Sequence, residues 1–268
     1  YIADATGEDE IYIRSQDGAE APTQLTSGSD TYKYQLAWSP DSKRLLWSDK
    51  KNRLQFIDVS SKQTTVVDQS LAWEIHDFTW SPDSQWIAFT RPEERRFPNI
   101  YLYSIESRQK TQVTDGWFDV GGPEFSSDGK LLFFVSDRTF NPTYSQVEWN
   151  HIYSDMARIY FVTLAQDTKS PFAPKSDEVK IKKDEAKPET DKKEDPAKDA
   201  PKPEGEKKNG DTAAPAKSDE SAAEKKPVEK KDDKKVVVKV DADGLAQRIA
   251  VLPIPAANYG QLTSVGDK

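Results

Sequence analysis

The stretch Trp38-Ser39-Pro40-Asp41-Ser42 recurs 42 residues later as Trp80-Ser81-Pro82-Asp83-Ser84. After another 45 residues the chain reads Phe125-Ser126-Ser127-Asp128-Gly129, which is a related third copy. Proline fixes φ, and aspartate accepts hydrogen bonds from its own downstream backbone, so each copy is typical of a tight turn. A turn that returns at a nearly constant spacing indicates an internal structural repeat.

Strand-like runs follow each copy of the turn in a fixed order. The first runs lie at residues 44–47, 86–89 and 131–135, and the second runs lie at 54–59, 100–105 and 159–164. Four short strands in about 40–45 residues is the period of a propeller blade. We therefore predict an all-β fold, a partial β-propeller of three to four four-stranded antiparallel blades with a long disordered insert. A β-sandwich is the rival architecture, but it would not place the same turn at the same phase of each repeat.

The repeats divide the chain into three parts. We expect residues 1–174 to form blades, the first of them partial. We expect residues 236–268 to supply the closing strand of the interrupted fourth blade, at 247–252, and the start of the next blade, at 258–262. The chain begins at Tyr1 without an initiator Met or an apolar signal region, so we expect it to be a piece of a longer protein.

The large residue that opens each repeat has a predicted structural role. One blade cannot bury both of its faces, so neighbouring blades must stack. We expect Trp38 and Trp80 to fill the space between adjacent blades.

Residues 175–235 differ sharply in composition from the rest of the chain. They contain 18 Lys and 18 Asp plus Glu, and no Phe, Trp or Tyr. Such a segment cannot bury enough apolar surface to offset the entropy lost on ordering. We predict a disordered loop inserted between the third and fourth strands of a single blade, not a linker between domains.

Charge and cysteine content exclude several classes of function. The residues outside 175–235 carry the whole formal net charge of −8, which is a poor match for nucleic acid or an anionic membrane surface. No apolar run approaches the about 20 residues of a membrane span. The absence of Cys excludes disulfides and a cysteine nucleophile. We expect no cofactor, because Gly121-Gly122-Pro123 lacks the Lys-Ser/Thr that completes a phosphate loop.

Beyond the repeats, the sequence resembles the propellers of TolB-like proteins and of tricorn proteases. Three features favour the tricorn type. The run at residues 159–164 continues through Lys169-Ser170-Pro171-Phe172-Ala173-Pro174, the charged insert follows, and Val240-Asp241-Ala242-Asp243-Gly244-Leu245 with Leu252-Pro253-Ile254-Pro255 comes after it. The order resembles the second, larger propeller of bacterial tricorn homologues over essentially the whole chain.

The resemblance implies a serine peptidase that trims peptides and has two propellers, a PDZ domain and a C-terminal catalytic domain. It implies peptide substrates, a homo-oligomeric parent protein, and a propeller that acts as a channel or filter. We expect a cytoplasmic location, with the periplasm as the alternative. The alternative function is a TolB-like propeller that serves as a protein-binding scaffold.

No residue of this chain is expected to be catalytic, so the chain itself is not predicted to be an enzyme. The catalytic residues of the tricorn family belong to parts outside it. His76 precedes Asp77, but neighbours in a strand point to opposite faces, and no Ser lies in a nucleophile-elbow context. We interpret His76, Asp77 and Asp119 as candidates to line a substrate channel, with His76 in the innermost strand of its blade.

Metal binding is also not expected. His151 has no second His or carboxylate at ligand spacing, so a surface or inter-blade contact is the favoured interpretation. Asp41, Asp83 and Asp128 lack the alternating ladder and closing Glu of a calcium loop, and turn capping explains them better.

Overall fold

The structure is a computed structural model that describes residues 1–140, 142–146, 150–173 and 236–266. These described residues belong to one compact unit. The predicted insert at 175–235 lies outside the described residues. Within them the only helical segment is the 3-10 helix Ala246–Arg248, and no helix has the length and apolar character needed to cross a membrane.

The first three sheets are antiparallel and follow chain order. The first sheet has three strands, β1 (Ile2–Ala3), β2 (Glu10–Ile13) and β3 (Thr23–Gln24). The second has four, β4 (Lys33–Trp38), β5 (Arg44–Asp49), β6 (Arg53–Asp58) and β7 (Thr64–Gln69). The third also has four, β8 (Phe78–Trp80), β9 (Trp86–Arg91), β10 (Asn99–Ser104) and β11 (Lys110–Gln112).

The fourth sheet joins strands from distant parts of the sequence. It begins with β12 (Val120–Phe125) and β13 (Leu131–Asp137), after which a short hairpin forms from β14 (Thr143–Tyr144) and β15 (His151–Ile152). It continues with β16 (Ala157–Thr163) and ends with β17 (Ile249–Val251), in the order β12-β13-β16-β17. The predicted all-β fold with four-stranded antiparallel sheets is confirmed.

The recurring turn forms the same hydrogen-bond network in all three copies. The serine hydroxyl donates to the aspartate Oδ1 in Ser39–Asp41 (2.7 Å), Ser81–Asp83 (2.6 Å) and Ser126–Asp128 (2.7 Å). The same serine oxygen accepts the backbone N–H at the start of the next strand, from Arg44, Trp86 and Leu131. The aspartates therefore cap turns, as predicted.

Apolar side chains fill the spaces between successive sheets. Leu46, Phe56 and Val67 of the second sheet pack with Ile87 and Phe89 of the third in one buried cluster. A second cluster joins the third and fourth sheets, and a third joins the first and second. The core is thus distributed between blades rather than gathered at one centre.

Trp80 and Trp38 occupy equivalent positions but differ in burial. Trp80 is only 7% exposed, and its Nε1 donates to the carbonyl of Ala37 in β4 at 3.2 Å. Trp38 is 48% exposed, so the prediction that it fills an inter-blade space was wrong. Among the described residues, the first sheet contains no strand equivalent to β4 against which Trp38 could pack.

Arg248 fastens the chain after residue 235 to the fourth sheet. Its guanidinium donates to the carbonyls of Thr163 (2.8 Å) and Leu164 (3.0 Å), at the end of β16. It also donates to the carbonyls of Asp241 (2.6 Å) and Asp243 (2.6 Å). One side chain therefore joins the end of β16 to the segment that leads into β17.

The returning segment also packs between two of the recurring turns. The backbone N–H of Val238 donates to Asp83 Oδ2 at 2.8 Å, and the Val238 side chain is buried in the core between the third and fourth sheets. Gly129 lies beneath it at a φ of +70°, which favours glycine. A Cβ at Gly129 would lie 2.6 Å from Val238 Cγ2.

Residues 258–262, expected to begin a further blade, form no strand among the described residues. Only isolated contacts hold this part of the chain. Ala257 N–H donates to the Ala157 carbonyl at 3.0 Å, and Ser127 N–H donates to Ser264 Oγ at 2.9 Å. A strand assignment needs a ladder of backbone bonds, which these contacts do not supply.

Replacement of the two equivalent tryptophans should have unequal effects. Trp80→Ala should lower the free energy of unfolding by about 3–5 kcal/mol, because it removes a buried aromatic ring. Trp38→Ala should cost about 1 kcal/mol, the centre of the range for point substitutions. Denaturant titrations of the 268-residue chain measure both values. Equal losses would contradict the inter-blade role of Trp80.

Two glycine substitutions separate backbone strain from steric overlap. Gly122 has a φ of +59°, and no atom lies within 4 Å of the position that a Cβ would take. At Gly129 the same position lies 2.6 Å from Val238 Cγ2. Alanine at either site should cost about 1–2 kcal/mol from its left-handed backbone. Gly129→Ala should cost about 1–3 kcal/mol more, because it overpacks the contact with Val238. Thermal melts that show equal destabilisation would argue against this packing.

Candidate functional site

The first strands of the second, third and fourth sheets converge. β8 contacts β4 on one side and β12 on the other. Polar side chains link these strands across the sheet boundaries, and they include two of the three candidates from the sequence.

His76 lies before its strand, not within it. The sequence placed it in the innermost strand, but β8 begins at Phe78, and this part of the prediction was wrong. Side-chain contacts hold the segment instead: the His76 ring packs edge-to-face on Tyr34 at 5.3 Å, and its Nε2 lies 3.5 Å from Glu74 Oε2.

Glu74 organises the polar groups around His76. Its Oε1 accepts hydrogen bonds from Lys50 Nζ at 2.8 Å and from the Tyr34 hydroxyl at 2.9 Å. The hydrogen bond from Lys50, followed by the one from Tyr34, lowers the pKa of Glu74 below its ordinary value. The ionised carboxylate thus ties the second sheet to the chain that enters the third.

Asp77 is exposed and lies against two glycines of β12. Its Oδ2 accepts a hydrogen bond from the backbone N–H of Gly122 at 3.3 Å. A Cβ at Gly121 would lie 3.2 Å from the same oxygen, which is a tight contact. The glycine pair therefore lets the backbone of the fourth sheet approach the Asp77 carboxylate closely.

Asp119 lies immediately before β12. Its carbonyl accepts hydrogen bonds from the Asp137 N–H at 3.1 Å and from the Ser136 hydroxyl at 2.9 Å, which fixes the backbone at this corner. Desolvation, and then the negative charge of Asp137, raise the pKa of Asp119 above its ordinary value. The carboxylate is held in a position that disfavours its own ionisation.

Asp77 and Asp119 line one concavity of about 340 Å3, which we name the acidic concavity. Asp137, Gly121, Tyr259 and Gln261 also contribute to its wall, and His76 does not. Within the described parts of the chain, none of the three carboxylates forms an ion pair with a Lys, Arg or His side chain. A site of this charge favours cations and disfavours anions.

Glu124 extends the polar contacts between first strands towards the other end of β12. Its carboxylate accepts hydrogen bonds from the Thr79 side chain and from the Ser264 backbone. Burial raises the pKa of Glu124, and these bonds partly oppose the shift. The segment after residue 252 therefore also contacts the convergence of first strands.

The geometry offers no arrangement for nucleophilic catalysis around His76. The ring faces Tyr34 and Glu74, while the carboxylate of its neighbour Asp77 bonds to Gly122. Among the described residues there is no group of three or more His, Asp or Glu that could hold a metal ion. The side chain of His151 and all of Trp149 lie outside what the structure describes.

Several site residues were missed by sequence reasoning. Asp137, Tyr259 and Gln261 line the acidic concavity, yet they belong to no repeated motif. Gly121 and Gly122 were considered only as a phosphate loop. Two adjacent glycines in a strand-like run are a signal of close backbone approach, and this signal was available.

Comparison with known proteins identifies the family of this chain. Residues 1–268 match the family described as the tricorn protease second β-propeller domain. The chain belongs to this family. Tricorn protease homolog 1 of Streptomyces coelicolor is 28% identical over 177 residues, which are 65% of this chain and 17% of that protein. The putative tricorn-like protease C-terminal subunit of Sulfurisphaera tokodaii is 29% identical over 167 residues, 62% of this chain and 19% of that protein.

The crystal structure of the tricorn protease supports the fold of this tricorn propeller domain. It superposes with a TM-score of 0.67 over 97% of this chain and 20% of that chain, at 14% identity. The Tol-Pal system protein TolB of Alcanivorax borkumensis is 30% identical over 86 residues, only 32% of this chain. The domain thus spans about a fifth of the tricorn proteins that it matches. The resemblance to the tricorn propeller is confirmed.

Asp119 in this tricorn propeller domain should respond to pH in a defined direction. Its pKa is raised in the folded state from the ordinary 3.8, so ionisation destabilises the fold as pH rises above that value. We expect Asp119→Asn to have a higher melting temperature than wild type at pH 7, and the difference to shrink on acidification. Glu106→Gln, which removes an exposed charge at the opposite end of the sheets, is the control. A lower melting temperature for Asp119→Asn at pH 7 would refute this assignment.

Proposed function

We propose that this chain is a non-catalytic β-propeller domain of a tricorn-type serine peptidase, and that it guides peptide substrates towards a catalytic domain outside the chain. The observation that carries the proposal is the acidic concavity, which lies where β12 approaches the chain that enters β8. Blades of a propeller surround a central channel. Residues on the converging strands are therefore the ones that a peptide in the channel would meet.

The negative charge of the acidic concavity supports a role for this domain in selecting the peptides that enter the channel. Asp77, Asp119 and Asp137 present carboxylates without a cationic partner among the described residues. Clefts lined by one sign of charge raise the local concentration of ligands with the opposite sign. The domain would admit cationic and neutral peptides and retard acidic ones.

The contacts of His76 support a non-catalytic domain. A general base must lie within hydrogen-bond reach of the group that it activates. His76 instead packs on Tyr34 and lies beside Glu74, so its role is to position the chain that enters β8.

The proposal includes the partners that such a domain requires. These are further propeller blades, a PDZ domain and a peptidase domain of the parent protein, which we place in the cytoplasm as a homo-oligomer. The family membership and the short share of each relative's length support the presence of further domains in the parent protein. The negative charge argues against nucleic acid and anionic lipid as partners.

Peptide turnover by the full-length protein tests the guiding role. In Asp77→Asn/Asp119→Asn, kcat/KM for unstructured Lys-containing peptides of about twelve residues should fall by roughly three- to tenfold, because two attracting charges are lost. Turnover of a short chromogenic substrate should stay unchanged, since it reports the catalytic domain alone. Glu106→Gln should behave as wild type. Unchanged turnover of the long peptides in the double variant would overturn the proposal.

A further inference from the structure

The two ends of the sheets carry different surfaces. In each four-stranded sheet the first-to-second and third-to-fourth connections lie at one end, which includes the Ser-Pro-Asp turns. The second-to-third connections and the links between sheets lie at the other end, which we name the loop end. Exposed large apolar side chains collect at the loop end, and they include Leu71, Trp73, Phe97, Trp117, Phe118 and Phe140.

Four of these side chains form a continuous depression, which we name the aromatic trough: Phe97, Trp117, Phe118 and Phe140. Two concavities, of about 620 and 300 Å3, share Phe97 and Trp117. Two arginines and two acidic residues complete the larger one, so its charges balance, and the carboxylates of Asp119 and Asp137 line the smaller one. Trp117 is 75% exposed, a high value for the largest apolar side chain. Contiguous exposed aromatic surface of this kind marks an interaction site more often than scattered single residues do.

Arg138 gives the trough a fixed wall. Its guanidinium lies 5.1 Å from the centre of the Phe118 ring and 4.6 Å from that of Tyr160, and its Nε donates to Ser136 Oγ at 3.0 Å. These contacts hold Arg138 against the rings. Among the ion pairs of the described residues, none joins Arg138 to Asp119 or Asp137.

The aromatic trough runs directly into the acidic concavity. Asp119 and Asp137 line the smaller concavity of the trough and also the acidic concavity. A ligand that crosses from one to the other therefore meets aromatic rings first and two carboxylates next. A cation placed there would relieve the repulsion between the carboxylates.

We propose that the aromatic trough docks an extended peptide, with an aromatic or large aliphatic side chain on Trp117 and a Lys or Arg side chain against Asp119 and Asp137. The inference rests on the proposed function and adds to it the class of peptide and the place of first contact. Charge complementarity identifies the occupant, because the carboxylates require a cation and the rings require an apolar group. An extended chain presents side chains to one surface at every second residue, about 7 Å apart, so one peptide supplies both.

Equilibrium binding to the full-length protein tests the docking site. The probe is a fluorescently labelled, twelve-residue Gly/Ser peptide with one Phe and, two positions later, one Lys. Fluorescence anisotropy gives its affinity, and mass spectrometry confirms that the probe stays intact. Trp117→Ala should weaken binding at least about fivefold, as expected when a central aromatic contact is truncated.

The matched control is Trp73→Ala. Trp73 is 65% exposed and also lies in a link between sheets at the loop end, but it lines neither concavity of the trough. Its removal should leave the affinity within about twofold of wild type, the scale of a near-neutral contact. Equal affinities in the Trp117 and Trp73 variants would overturn the proposal.

Altered probes test the two halves of the recognition. Replacing Phe by Ser or Lys by Gln in the probe should each weaken binding to wild type. In Asp119→Asn/Asp137→Asn the preference for Lys over Gln should disappear, while Glu106→Gln should keep it. A preference that persists in the double variant would overturn the role of the carboxylates.

The binding and turnover experiments distinguish a failure of the docking proposal from a failure of the guiding function. If Trp117→Ala weakens binding while Asp77→Asn/Asp119→Asn leaves turnover of long peptides unchanged, the docking site stands and the guiding function fails. If wild type does not bind the probe, and acrylamide quenches the fluorescence of wild type and Trp117→Ala to the same extent, another domain covers the trough. That result would overturn the docking proposal and leave the guiding function in place.

Discussion

Apolar contact between one sheet and the next is the constraint on which the rest of this domain depends. A single four-stranded sheet has two faces and cannot cover both, so each sheet needs a neighbour. Trp80 shows how the contact is made, because its ring enters the core beside Phe56 and its indole N–H bonds to the Ala37 carbonyl. This packing brings the first strands of neighbouring sheets together. The convergence in turn places Asp77 beside Gly122 and forms the acidic concavity.

Local chemistry made most of the fold predictable. The Ser-x-Asp turns set the phase of the repeat because their hydrogen bonds involve residues no more than five apart in sequence. Trp38 was misjudged because its burial depends on a strand that the first sheet lacks, and no local pattern reports that. His76 was misplaced because Tyr34 and Glu74 hold its segment outside the ladder, and Tyr34 is distant in sequence.

The candidate site was predictable only in part. Asp77 and Asp119 were chosen and do share a concavity, but Asp137 and Gln261 come from other strands and loops.

The pair Asp119 and Asp137 lowers the stability of the fold. Desolvation and the negative charge of Asp137 disfavour the ionised form of Asp119, so the fold is less stable for holding this carboxylate here. Polar groups that oppose stability are common where a protein keeps a surface ready for a ligand.

The four hydrogen bonds of Arg248 have a consequence for the history of this domain. They join the end of β16 to the segment that leads into β17, so the described chain on either side of residues 174–235 is held in the same sheet. The entropy of closing a loop grows only with the logarithm of its length, so doubling the length costs about 0.6 kcal/mol. Lineages could therefore lengthen, shorten or rewrite this segment with little penalty to the propeller. The blade thus offers a permissive site for evolutionary insertion.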